Sequence, residues 1–160
     1  MAYHDELLQQ AVELAHKDPT SPKQVDLRRA VSTAYYAVFH LLISETISNW
    51  SRASSRDALG RMFDHGMMKK VSRRISDPKL FPFGGEDSIL VQNLKTVAQS
   101  FVQLQDQRHI ADYDNATFWT SNEAVTEVTK AANAFAAWKS IQNENIAQDY
   151  LVSLLIRPRD

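Results

Sequence analysis

The sequence predicts an all-α protein, an up-and-down antiparallel bundle of four to five helices. Three observations lead to that fold class. Apolar residues recur at helical spacings of three and four over long stretches, only four glycines and five prolines interrupt 160 residues, and no segment alternates as a β-strand does. Short connections favour antiparallel packing of successive helices. We expect a single domain over residues 1–160, with a core spanning about 3–156.

A proline-containing turn separates the first two predicted helices. The first runs over about residues 3–16, and Asp18-Pro19-Thr20-Ser21-Pro22 ends it. Ser21 has the features of an N-cap, with proline as the next residue and Gln24 closing a capping box. The second helix then continues to about Trp50. Its buried face is predicted to carry Leu27, Ala30, Val31, Ala34, Val38 and Leu41.

The rest of the chain divides into three further helical patterns. A basic third helix is predicted over about 56–75, and residues 78–85 form the one clear loop. The fourth helix spans about 86–113. A Thr120-x-x-Glu123 capping box opens the last pattern, which runs to about residue 156 before Pro158 ends it.

Composition and charge exclude several classes of function. The formal net charge of −1 creates no global attraction to nucleic acid or membranes, so RNA binding would need a local basic patch. The chain has no cysteine, which excludes disulfides and thiol catalysis. Residues 1–6 lack the features of a secretory signal, and the longest apolar stretch, 34–43, is about half a membrane span. We therefore expect a cytoplasmic protein without a membrane segment.

No cofactor or metal motif is present. The five histidines have neither the HExxH spacing nor the Glu-x-x-His pairs of di-iron bundles. Gly84-Gly85 lacks the Lys-Ser/Thr that follows a phosphate-binding glycine loop. We expect neither a metal nor a cofactor.

Arg108 occupies a position where the apolar stripe of the fourth helix predicts a nonpolar side chain. That stripe consists of Leu94, Val97, Phe101, Leu104, then Arg108, then Ala111. A guanidinium stays charged, so at this position it needs an acid, a phosphate or water. Asp112, one turn further on, is its internal partner. Arg108 is therefore either half of a helix-end salt bridge or a functional residue.

One face of the second helix carries four polar or ionisable side chains at spacings of four, three and four: Arg29, Thr33, Tyr36 and His40. The neighbouring row is predicted to be core: Ser32, Tyr35, Phe39 and Leu42. Tyr36 and His40 need hydrogen-bond partners, which Arg108 and Asp112 could supply. The alternative is that both are simply hydrogen-bonded at the rim of the bundle.

The predicted third helix carries a basic cluster, made of Arg61, Lys69, Lys70, Arg73 and Arg74. Lys70 and Arg73 lie within one turn of each other. The cluster is either an ordinary solvated helix face or a track for a phosphate backbone. A phosphate track would bind RNA with a steep dependence on salt.

Two motifs carry a family resemblance. The segment Leu27-Arg28-Arg29-Ala30-Val31-Ser32-Thr33-Ala34-Tyr35-Tyr36-Ala37-Val38-Phe39-His40 and the later Arg108-His109-Ile110-Ala111-Asp112-Tyr113 resemble the HEPN superfamily of prokaryotic helical-bundle proteins. The similarity is to the branch with an RRA…AYYAxFH helix and an R…ADY helix end. It covers roughly residues 7–138. The resemblance implies a four- or five-helix bundle that dimerises, in a defence, stress or toxin–antitoxin setting.

For active members, the resemblance also implies a metal-independent ribonuclease site at the dimer cleft. An Arg followed after four to six residues by His forms it, with the His moving a proton and the Arg stabilising phosphate charge. Arg108 matches the Arg, but Tyr113, Asp114 and Asn115 occupy the positions of the His. A phenol with a pKa near ~10 is a poor general base at neutral pH. His109, His40 or Tyr113 would have to replace the missing His.

Three hypotheses follow. The first is a homodimeric HEPN-like module, built on the second and fourth helices, that binds RNA or a partner protein through Arg29, Tyr36, His40, Lys70 and Arg73. The second is a ribonuclease with catalytic residues among Arg108, His109, Asp112 and Tyr113. The third is a purely structural dimeric bundle in which Arg108 and Asp112 only shape the assembly.

Overall fold

The computed structural model describes residues 1–156, and every regular element in that range is an α-helix. The helices are α1 (Tyr3–Ala15), α2 (Gln24–Ile47), α3 (Ala53–Gly60), α4 (His65–Ser76), α5 (Ser88–Tyr113), α6 (Ser121–Ile141) and α7 (Asn145–Ser153). In this part of the chain, none of them combines the length and the apolar character needed to cross a membrane.

Helices α2 and α5 form the centre of the fold. Helix α2 packs against α1, α5 and α6, and α5 also packs against α4 and α6. The predicted apolar face of α2 is buried along its whole length, and so are the apolar residues of the α5 stripe and the predicted core row of α2. Burial of each large apolar side chain contributes about 1.5–3 kcal/mol, so these faces hold the helices together.

Side-chain caps determine where three helices begin. Asp64 and Asp87 accept backbone N–H bonds at the starts of α4 and α5. The predicted Thr120 cap is confirmed, since the Glu123 N–H donates to Thr120 Oγ1 at 3.2 Å. The Thr120 hydroxyl in turn donates to the Glu123 carboxylate at 3.1 Å. Each cap satisfies a backbone donor that the helix itself cannot and contributes about 1 kcal/mol.

The predicted cap of α2 is wrong. The Ser21 N–H donates to Asp18 Oδ1, and α2 begins two residues after Pro22 without a side-chain cap. The Gln24 side chain instead binds both backbone groups of Trp119, donating to its carbonyl at 2.7 Å and accepting from its N–H at 2.9 Å. A tertiary partner therefore replaces the local capping pattern, because it satisfies two backbone groups at once.

Two predicted helices are each broken in two. The described range therefore contains seven helices, where the sequence predicted four to five. Residues 61–64 separate α3 from α4, where Asp64 caps a new helix. Residues 142–144 separate α6 from α7 and let α7 pack back onto α2, α5 and α6. A continuous last helix would instead carry Ile146 and Tyr150, both fully buried, away from the core. The predicted stop at Pro158 lies outside the described residues.

Candidate functional site

Arg108 is enclosed by aromatic rings. Its side chain is 14% exposed, and Cζ lies 5.1 Å from the ring centroid of Tyr35 and 5.8 Å from that of Tyr36. Nη1 lies 3.8 Å from Oδ2 of Asp112, the partner that the spacing predicted. Within residues 1–156, the buried Nε has no hydrogen-bond partner. Cation–π contact is therefore the main interaction of this guanidinium, with a long ion pair beside it.

His65, the first residue of α4, joins this cluster. Its Nδ1 lies 2.5 Å from the Tyr35 hydroxyl, and its ring stacks on Phe39 with centroids 4.2 Å apart. Burial lowers the pKa of His65 and the nearby charge of Arg108 lowers it further, against the opposing effect of Asp64. Burial also raises the pKa of Tyr35 well above its usual value. With both groups neutral, the phenol O–H can donate to Nδ1, which places the imidazole proton on Nε2.

Tyr36 and His40 lie at the rim of the same cluster. Their ring centroids are 6.4 Å apart, and that of Tyr36 is 6.2 Å from His65. Burial lowers the pKa of His40, and the charges of the protonated forms of His65 and His4 lower it further. Among the described residues, neither the Tyr36 nor the His40 side chain makes a hydrogen bond. Tyr36 meets Arg108 through the face of its ring, and not through the hydroxyl that sequence reasoning considered.

A groove of about 550 Å³ opens between the first half of α2 and the end of α5. We call it the Asp112 groove. Its lining is Val25, Arg28, Arg29, Ser32, Tyr36, Ala111, Asp112 and Tyr113. It therefore brings together four residues that the sequence singled out, two as catalytic candidates and two as binding candidates.

The two neighbouring arginines of this groove differ in role. Arg28 donates to the carbonyls of Ala111 and Asp114 at 2.9 Å and of Thr117 at 2.5 Å, which closes the end of α5 and the turn after it. Charge-assisted bonds of this kind are stronger than neutral ones, so Arg28 has a structural role. Arg29 is exposed and makes no hydrogen bond within the described range. Its guanidinium is therefore accessible to a ligand.

A second groove, of about 520 Å³, follows α4. We call it the α4 groove, and its lining is Gly66, Lys69, Lys70, Arg73, Arg74, Asp77 and Leu80. Lys69 forms an ion pair with Asp106 of α5. Lys70 and Arg73 are exposed and have no acidic partner in the part of the chain that the structure describes. The predicted basic cluster thus lines a concave surface, apart from Arg61, which lies before α4.

Both grooves adjoin the Arg108 cluster, the α4 groove through Gly66, which follows His65, and the Asp112 groove through Tyr36. The Lys69–Asp106 pair joins α4 to α5 six residues before Asp112, which corresponds to ~9 Å along the helix axis. His65 stands at the start of α4, and its ring is close to Tyr36 of the Asp112 groove. Four of the five predicted binding residues are thus divided between two surfaces, with Lys70 and Arg73 on one and Arg29 and Tyr36 on the other. The fifth, His40, lines neither groove.

His109 lies apart from Arg108. It is exposed, and its ring contacts that of Tyr113 at 5.0 Å. Successive residues of an α-helix point about 100° apart, so neighbours in sequence face different surroundings. The four candidate catalytic residues therefore form two separate pairs, Arg108 with Asp112 and the exposed His109 with Tyr113.

Sequence reasoning missed His65. A continuous helix over residues 56–75 placed this residue in mid-helix, where nothing distinguished it from the other histidines. The available indication was Asp64, a typical N-cap residue directly before it. A helix start at that point would have drawn attention to His65.

Neither a metal site nor a similarity to known proteins identifies the function of this cluster. Within residues 1–156, no three His, Asp or Glu side chains are grouped so that they could hold a metal ion. Comparison with protein-family models, curated proteins and solved structures finds no match.

Proposed function

We propose that this protein is a HEPN-like module that binds single-stranded RNA and acts as a regulator in a prokaryotic cytoplasm. The observation that carries the proposal is the α4 groove, where four cationic side chains surround about 520 Å³ and Asp77 is the one acidic residue of the lining. Such a surface attracts a phosphate backbone and releases its counterions. The setting, in defence, stress or toxin–antitoxin function, rests on the sequence resemblance alone.

The arrangement of charge and aromatic rings favours a single strand. The chain has a net charge of −1, so RNA is attracted only where cations gather, as in the α4 groove. Tyr36 and Tyr113 line the neighbouring Asp112 groove and can stack on bases. Proteins that bind single strands combine a cationic groove with such stacking rings. A duplex would keep its base faces hidden from both tyrosines.

A charge-reversal experiment tests the α4 groove. We expect Lys70→Glu/Arg73→Glu to weaken binding of a labelled single-stranded RNA pool, measured by fluorescence anisotropy, by about tenfold or more. The slope of log K against log salt should fall by about 0.7 for each phosphate that the variant no longer neutralises. The control, Lys23→Glu/Lys139→Glu, makes the same change of charge at exposed lysines outside the groove. Equal weakening in both variants would show that only net charge matters and would refute the proposal.

We also propose that the module forms a homodimer through α2 and α5. Val25 and Phe118 are 59% and 75% exposed, and Val25 also lines the Asp112 groove, which would therefore lie at the edge of the interface. The bonds from Gln24 to Trp119 hold the loop that carries Phe118 beside the start of α2. Neighbouring exposed apolar side chains can form the apolar part of an interface, and a two-fold dimer is the commonest arrangement.

Light scattering at micromolar concentration tests the dimer. We expect twice the chain mass of 18.2 kDa for the parent and a single chain for Val25→Ser/Phe118→Ser. A parent that stays at 18.2 kDa on concentration would contradict the assembly.

Ribonuclease activity is a second candidate, favoured by the position of His65 beside Arg108. In the tautomer whose Nδ1–H donates to the Tyr35 oxygen, Nε2 of neutral His65 is free to accept a proton from a ribose hydroxyl, and the guanidinium can stabilise the charge on the phosphate. His65 is in this respect a better partner for Arg108 than His109, which faces away. The residues that would carry the activity are therefore Arg108 and His65.

The two candidates separate in a cleavage assay with single-stranded RNA in chelator. If the protein is a binding module only, the RNA stays intact with the parent and with each of three variants, Arg108→Met, His65→Asn and His109→Ala. Cleavage by the parent that is abolished in the first two variants and kept in the third would make the protein an enzyme. Denaturation midpoints of the variants establish that any loss of cleavage is not a loss of folding.

A further inference from the structure

Asp112 contributes a carboxylate oxygen without a partner to the Asp112 groove. Both of its contacts fall on Oδ2, to which Ser32 Oγ donates at 3.2 Å and near which Arg108 Nη1 lies at 3.8 Å. Within residues 1–156, Oδ1 accepts no hydrogen bond. The side chain is 28% exposed, so a ligand in the groove can reach it. Ser32 and Arg108 hold the carboxylate in place, which makes Oδ1 a preoriented acceptor.

Two tyrosine rings and a free cation surround this acceptor. Tyr36 and Tyr113 line the same groove, and Tyr113 is 67% exposed. The ring of His109 supports that of Tyr113 from the side, which gives this exposed histidine a role. Arg29 lines the groove with its guanidinium unengaged among the described residues. An aromatic face stacks on any base, and a guanidinium binds a phosphate.

We infer that the Asp112 groove binds one nucleotide of single-stranded RNA and prefers guanine. The inference rests on the proposed RNA binding, with the α4 groove holding the backbone and the Asp112 groove reading a base. A volume of about 550 Å³ is within the range of small-molecule sites. Tyr36 and Tyr113 would contact the base, Asp112 its hydrogen-bonding edge, and Arg29 its phosphate.

The chemistry of the acceptor selects among the bases. Guanine presents two adjacent donors, N1–H and the N2 amino group, on its Watson–Crick edge. Adenine and cytosine place a ring-nitrogen acceptor beside their amino group, and uracil places carbonyl oxygens on both sides of its one N–H. Those acceptors repel a carboxylate. We therefore expect the order guanine first, adenine and cytosine next, and uracil last.

The same lining argues against two other ligands. A phosphate placed at Asp112 would meet the charge of the carboxylate. A metal ion would need several oxygen ligands, and Asp112 is the one acidic side chain of this lining. A base with donors on its edge, attached to a phosphate that Arg29 can reach, suits all of the polar groups together.

The test uses labelled oligouridine that carries one central guanosine, adenosine or cytidine, or none, in an anisotropy assay at fixed salt. We expect the parent to bind the guanosine oligomer about tenfold more tightly than plain oligouridine. Asp112→Asn should remove or reverse that preference, because an amide offers a donor as well as an acceptor and so accepts uracil. Tyr113→Ala should weaken all four oligomers. The control Asp57→Asn, at an exposed aspartate of α3, should keep the parent's preference.

The outcomes distinguish the inference from the function on which it rests. A parent that binds no RNA refutes both. A parent that binds all four oligomers equally, with the salt dependence of the α4 groove and no effect of Asp112→Asn, keeps the RNA-binding proposal and refutes the nucleobase site. Lys70→Glu/Arg73→Glu should weaken every oligomer and leave the preference for guanosine.

A competition arm identifies the group that the groove recognises. Guanosine monophosphate should displace the labelled guanosine oligomer more effectively than uridine monophosphate. Inorganic phosphate at the same concentration should leave it bound. Displacement by phosphate as effective as by guanosine monophosphate would show that only charge is recognised and would overturn the inference.

Discussion

Replacement of Arg108 by alanine should destabilise the fold by about 3 kcal/mol. The guanidinium lies within 6 Å of two ring centroids, 5.1 and 5.8 Å away, and each such contact contributes about 1 kcal/mol when partly desolvated. The long pair with Asp112 adds at most about 0.5 kcal/mol. Burial of the methylene stem on the apolar stripe contributes about 2 kcal/mol. Burial of Nε without a hydrogen-bond partner costs about 1 kcal/mol and offsets part of this stabilisation. An exposed ion pair alone would contribute only about 0–1 kcal/mol.

Urea denaturation followed by circular dichroism measures this change, with the midpoint and the slope both fitted. Arg108→Met is the matched control because it keeps an unbranched apolar stem and removes the charge together with the unpartnered Nε. We expect it to cost about 1–2 kcal/mol, less than the alanine variant. A cost below about 1 kcal/mol for Arg108→Ala would refute the argument, since the residue would then behave as an exposed pair.

Three further predictions concern stability. The pKa of His65 is lowered from 6.5 in the folded state, so the unfolded chain takes up the proton first. The free energy of unfolding should therefore decrease as pH falls below about 6.5. Urea titrations at several pH values should give a shallower decrease for His65→Asn than for the parent. Ser72→Ala should lower the free energy of unfolding by about 1–3 kcal/mol in urea denaturation, because it leaves the fully buried Tyr150 hydroxyl without its 2.7 Å partner. The double variant Ser72→Ala/Tyr150→Phe should lose less stability than the sum of the losses in the two single variants. Arg28→Ala should lower the thermal midpoint by an amount that corresponds to at least about 2 kcal/mol of stability. Arg29→Ala should change the stability by no more than about 0.5 kcal/mol. Equal effects of the two variants would contradict the roles assigned to these arginines.

The surroundings of Arg108 could be predicted from the sequence only along its own helix. Its place on the apolar stripe of α5 and its pairing with Asp112 follow from spacings of three and four, and both are observed. The rings of Tyr35 and Tyr36 belong to α2; the sequence suggested Tyr36 only as a hydrogen-bond partner of Arg108 and assigned Tyr35 to the core. Their approach to Arg108 depends on how α2 and α5 cross, which no spacing within either helix determines.

The starts of the helices divide in the same way. Thr120 caps α6 with groups three residues away, so the sequence rule identified it. Gln24 is instead bound to Trp119, which lies 95 positions further along the chain. A local rule compares only neighbouring residues, and it therefore assigned the α2 cap to Ser21.

Apolar periodicity is a local property of the chain, and it determined the all-α class, the buried faces of α2 and α5 and the position of Arg108 at the end of the apolar stripe. Only the tertiary structure decided where long helical patterns break, because a break is stabilised by distant packing, as when α7 turns back onto the core. The break before Asp64 brings His65 to Tyr35 and Phe39. The crossing of α2 and α5 encloses Arg108 and opens the groove beside Asp112, since side chains from different helices meet only when the whole core has packed.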